Sequence, residues 1–129
     1  MDADDIAWRL AQLASLPFQE RYVIGGNVDE YVLDVELLEN VDSLKYLVRR
    51  PEHRHVLTND QMVALEDIFL FIENRSGEAL SARSREEGAL LIRESSVWKD
   101  LRAKSTYALH LFGIAIDNMS AEEIANLSE

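Results

Sequence analysis

The run MVALEDIFLFI, residues 62–72, constrains this chain more than any other stretch. Wound as a helix at 100° per residue, it is apolar around more than half of its circumference and has to be enclosed from several sides. Thr58 or Asn59 can cap it, so the pattern predicts a helix from 60 to about 75, central to a core, with Asn74 and Gly77 marking its end. Such a helix needs companions, and the chain supplies them.

Ile6, Leu10 and Leu13 recur at helical spacing behind an acidic first turn and ahead of Pro17, which predicts a helix over 2–14 with Trp8 off its apolar face. Leu37, Val41, Leu44 and Val48 follow the i, i+4, i+7, i+11 pattern of a helix from 35 to about 49, with Asp34 as its N-cap and Pro51 beyond its end. Ser84 and Glu87 have capping-box spacing for a short helix to about 94, after a loop at 76–84. A longer helix is expected over 97–112, with Trp98, Leu101, Leu109 and Phe112 on one side and Gly113 at its C-cap. Ser120 and Glu123 repeat the capping-box spacing before a last short helix. Between the first two helices, Tyr-Val pairs flank Gly25-Gly26, and the pattern allows one short β-hairpin near residues 21–33. With 129 residues and no internal repeat, the expectation is an all-α fold, a single helical domain over 1–129 of five to six helices.

Composition then removes function classes. No apolar run approaches the length of a bilayer span, and MDADDIAWRL begins with acids where a secretion signal carries bases, so a cytoplasmic chain without membrane association is expected. The absence of cysteine excludes disulfides and thiolate metal sites. No metal and no cofactor is expected. Twenty-four acids against thirteen bases give a formal charge of -11, a field that repels phosphate backbones and attracts basic proteins. Direct nucleic-acid binding is therefore not expected.

The basic exception is RRPEHRH, residues 49–55. Its Arg50 and His55 are spaced like the Arg-x4-6-His motif of the helical HEPN ribonucleases; that resemblance would make His55 a general acid or base and the arginine a clamp on the scissile phosphate. Pro51 argues against the required helix start, because it disfavours helical geometry at the residue before it. His53 and His55 lack a third metal ligand nearby apart from Glu52. The plainer expectation is that Arg49 and Arg50 satisfy the last carbonyls of a helix and that the histidines lie in a solvated connection. Gly25-Gly26 lacks the Lys-Ser/Thr of a phosphate loop. No catalytic set is assigned, and the chain is not expected to be an enzyme.

Residues 29–42 hold Asp29, Glu30, Asp34, Glu36, Glu39 and Asp42 and no base. On the helix from 35, Glu36, Glu39 and Asp42 fall opposite the apolar face, and Tyr46 lies one turn beyond Asp42. Carboxylates that steer a basic protein, beside a tyrosine that buries area at low entropy cost, are the ingredients of a binding surface. The alternative is a solvated face with Tyr46 tucked under the hairpin. The candidate partner-binding set is Asp29, Glu30, Glu36, Glu39, Asp42 and Tyr46.

In chain-wide character, and over ERYVIGGNVDEYVLDVELLENV (20–41), the sequence resembles bacterial immunity proteins of contact-dependent growth inhibition and related polymorphic toxin systems. The resemblance is one of class and carries no residue roles with it. It implies a one-to-one complex with a basic protein toxin, often a nuclease, whose active cleft the acidic protein covers inside the producing cell. A regulatory module that binds some other basic protein differs only in its partner.

Overall fold

The computed structural model describes residues 2–26, 31–53 and 55–128. All regular structure among them is helical. The first helix, α1 (Ala3–Ala14), starts from a capping box in which Asp2 accepts from the Asp5 amide at 3.0 Å. It buries Ile6, Leu10 and Leu13, as their spacing predicts, together with Ala7, Ala11 and Ala14.

Ser15 ends α1 and caps the next turn, accepting from the Phe18 amide at 3.1 Å. That turn, α2 (Leu16–Phe18), runs directly into a π-helical segment, Gln19–Ile24. The hairpin allowed near residues 21–33 is therefore corrected: 21–24 are helical, and no strand occurs among the described residues. Its turn residues, 27–30, lie outside the described set. One hairpin-like bond does form, from the Val32 amide to the Tyr22 carbonyl at 2.9 Å. Gly26 permits this approach, because a Cβ there would lie 2.6 Å from the Tyr22 oxygen.

The helix expected over 35–49 is two: α3 (Asp34–Asp42) and α4 (Lys45–Val48). Its cap is Leu33, while Asp34 is the first helical residue and accepts from the Val35 amide at 2.8 Å. The interruption has a tertiary cause. Arg9 of α1 donates to the Asn40 carbonyl at 2.9 Å, the Ser43 hydroxyl donates to it at 3.3 Å, and the Leu44 amide turns to Val41 instead. Leu37, Val41, Leu44 and Val48 are all buried regardless. Their periodicity survives because the two helices continue in nearly the same phase.

After a 3-10 turn at Pro51–His53, α5 (Asn59–Ala79) starts at a Thr58/Gln61 capping box and outruns its expected end. A Cβ at Gly77 would meet nothing, so that glycine imposes no stop. Instead α5 ends where the Trp98 indole donates to the Ala79 carbonyl at 3.1 Å. Ser84 caps α6 (Arg85–Glu94), and the Glu87 carboxylate accepts from the Arg83 amide, not from that of Ser84. Ser95 caps α7 (Ser96–Leu111). Beyond it, Gly113 at φ 77° closes a Schellman turn, its amide bonded to His110 and that of Ile114 to Leu109. The expected Ser120/Glu123 box opens α8 (Ala121–Asn126).

The hub is α7, packed against α1, α5 and α6, with its Trp98 fully buried. The run of 62–72 is less central than its composition suggests. Its Leu65, Ile68, Phe69 and Ile72 enter the core, but Val63 and Leu70 are 70 % and 56 % exposed. No helix among the described residues is long and apolar enough to cross a membrane.

Candidate functional site

An acidic face has consequence only if its carboxylates are left over after the protein's own bases have been used. Most bases here are spent internally. Arg93 grips Glu20 with two 2.7 Å bonds, Arg49 grips Glu66 at 2.9 and 2.8 Å, and Lys104 holds Asp67 at 2.7 Å. Arg75 pairs with Glu78, and Arg21 with Glu122 at 3.7 Å. Other arginines serve the backbone: Arg85 donates to the carbonyls of Ile24 and Gly26, and Arg102 to that of Ile92.

Against that background, Glu36 and Glu39 are exposed on α3 and form no ion pair among the described residues. They sit on adjacent turns, 60° apart around the helix axis. Asp42 continues the same arc but is not free. Lys45 reaches it at 2.9 Å and at the same time reaches Glu73 of α5 at 3.3 Å. Donating to Asp42 raises the lysine pKa, and donating to Glu73 adds to it. Asp42 also has one oxygen, Oδ1, buried without a hydrogen-bond partner. It is a tie between α3, α4 and α5.

Tyr46, on α4, is 68 % exposed and is not tucked under a hairpin. Its ring centroid lies 5.4 Å from the Lys45 ammonium, so a cation borders one side of it. Asp29 and Glu30 lie outside the described residues. Of the six candidates, α3 and α4 therefore present Glu36, Glu39 and Tyr46 outward, while Asp42 is half neutralised. The base-free run of acids ends at Asp42, three residues before Lys45. The i, i+3 spacing of Asp42 and Lys45 was the signal that would have exposed the pair.

The RRPEHRH segment departs from its expected role at Arg49, which leaves the helix-end carbonyls for Glu66 and stacks 5.7 Å from the Phe69 ring. Arg50 and His55 are exposed in the turns between α4 and α5 rather than at a helix start. No group of three or more metal-capable side chains occurs among the described residues. Arg49 instead makes a testable contribution to stability. Its hydrogen bonds hold the Glu66 carboxyl below a glutamate's ordinary value of 4.5. A depressed pKa gives stability that is complete above the unfolded value and lost as pH falls through the folded one. Arg49→Gln should therefore lose stability relative to the parent above pH 4.5, with the pH-dependent part of the gap closing on acidification in parallel urea melts. A gap of constant size would assign the whole effect to packing on Phe69.

The described residues form a small all-helical protein in which Glu36 and Glu39 on α3 make no ion pair. No protein-family model, curated protein or solved structure matches the chain.

Proposed function

We propose that this chain is an acidic binding protein that covers a cationic surface on another protein, as an immunity protein would cover the active cleft of a basic toxin such as a nuclease. The observation that carries the reading is the pair Glu36 and Glu39, exposed and without an ion pair among the described residues, in a molecule most of whose arginines and lysines bond to its own carboxylates and carbonyls. Their carboxylates would stand where the toxin's substrate phosphates otherwise bind. Tyr46 supplies an exposed ring beside them, suited to burial at the centre of an interface. The reading assigns no chemistry to the chain itself, and it places the complex in the cytoplasm of the producing cell.

The test is the double charge reversal Glu36→Lys/Glu39→Lys, with Asp42 left alone because Lys45 depends on it. The variant should keep its helical circular dichroism and yet fail to protect cells expressing a toxin domain against which the parent protects. Association should slow toward the roughly 10⁵–10⁶ M⁻¹s⁻¹ of unsteered encounters. Full protection by a folded variant would remove α3 from the interface.

A further inference from the structure

The surplus apolar surface of α5 gathers at one place. Helices α5 and α7 run antiparallel, since Gln61 donates to the Leu111 carbonyl at 3.0 Å, Lys104 to Asp67 at 2.7 Å, and Trp98 to the Ala79 carbonyl at 3.1 Å. On their outer side lies a groove of about 490 Å³, with Val63 on the α5 wall and Ala103 and Tyr107 on the α7 wall. Val63 is the most exposed large hydrophobic side chain described, and Tyr107 is 60 % exposed. Neither is needed to close the core.

Charge is arranged about this apolar strip. Asp60 lines the groove near Tyr107 and makes no ion pair among the described residues. At the other end, Asp67 is already neutralised by Lys104. Asp100 stands one turn before Ala103 on the same side of α7, exposed and without a salt bridge among the described residues. Seven residues separate Asp100 from Tyr107, about 10.5 Å or two turns of helix. A carboxylate thus stands toward each end of the strip, Asp60 in the lining itself and Asp100 one turn beyond it, where it also feels the charge of Arg75.

We propose that the α5/α7 groove receives an amphipathic helix from a cationic partner, its apolar stripe set between Val63 and Tyr107 and a lysine or arginine set against each of Asp60 and Asp100. A helix laid into a two-helix groove buries side chains at i, i+3, i+4 and i+7, which is the reach of this strip. Charge selects the occupant. A second copy would bring another Asp60 and Asp100 against the first within a molecule of net charge -11, and a nucleic acid would bring phosphates; both are repelled. The groove is separate from the α3 face, which adjoins the opposite flank of α5, so this inference stands whether or not Glu36 and Glu39 bind anything.

The experiment titrates the full chain with a synthetic, fluorescently labelled peptide of about 14 residues, four helical turns, carrying lysines seven apart with leucines between them. A peptide of the same composition with the leucines scattered is the control. The amphipathic peptide should bind more tightly than the control and should perturb the backbone resonances of Val63 and Tyr107. Val63→Ser/Tyr107→Ser, at two exposed positions, should fold normally and bind roughly tenfold or more weakly. Asp60→Asn/Asp100→Asn should weaken binding and flatten its salt dependence. Glu36→Lys/Glu39→Lys should leave it within about threefold, far short of a groove anchor's effect. Unchanged affinity in the Val63/Tyr107 variant, or equal binding of the scattered peptide, would overturn the proposal. So would a dimer of the chain alone that the same two substitutions dissociate, which would give the groove to a second copy.

Discussion

Trp98→Ala is expected to remove about 3–5 kcal/mol of folding stability, the range for truncating a large core aromatic. That is a large part of the roughly 5–15 kcal/mol by which a domain is stable at all. The side chain is fully buried on the hub helix α7. It also ends α5: with the indole gone, the Ala79 carbonyl loses its 3.1 Å donor at the point where the longest helix stops. Two costs therefore coincide, an unfilled volume and an orphaned acceptor. Urea unfolding should show a much lower midpoint, and Trp98→Phe should separate the terms by restoring most of the volume but not the donor. A loss below about 1 kcal/mol in the alanine variant, the level of an ordinary substitution, would mean the core closes without this residue.

Gln19→Ala should rank next, at about 2–4 kcal/mol, because it strands several buried polar groups at once. Gln19 is fully buried; its Nε2 donates to the carbonyls of Gln12 at 3.1 Å and Leu13 at 2.8 Å, the last turn of α1. Its oxygen accepts from Arg102 at 2.9 Å, and burial pulls the Arg102 pKa below its ordinary value, so the partner matters to the arginine as well. Among the described residues, Arg102 would keep its 2.7 Å bond to the Ile92 carbonyl and the attraction of Glu20. A double-mutant cycle with Arg102→Ala in urea melts should give a clear non-additive term. Strict additivity would mean the two side chains are neighbours without being coupled.

Local patterning made the helices legible, and long-range contacts decided what it could not. Leu37, Val41, Leu44 and Val48 were identifiable as one buried face from spacing alone. The break between Asp42 and Lys45 was not, because it comes from Arg9, thirty-one residues earlier, taking the Asn40 carbonyl. The caps at Ser84 and Ser120 start helices as local chemistry requires, although only Ser120 has its reciprocal partner, Glu123. Tyr22 and Val23 favour strands by type, yet a half-buried helix suits them when Gln19 and Glu20 are anchored by Arg102 and Arg93 on distant helices. For the candidate site, helix angle correctly set Glu36 and Glu39 outward. It could not show which carboxylates had a base waiting, so Asp42 was included. The outward turn of Val63 was equally hidden, since an apolar helix does not say which of its sides the rest of the chain leaves bare.

The wide turn at Gln19–Ile24 sets where Val23 falls relative to Phe18. Phe18 and Val23 are both buried although five positions apart, a spacing that a regular α-helix would splay by about 140°. Bonding five residues back, as Gly25 does to Glu20, brings that spacing onto one side. Rewinding this segment as an ordinary α-helix with all its residues kept would swing Val23 about 140° from Phe18 and toward water, so the wide turn is what lets both side chains enter the interior.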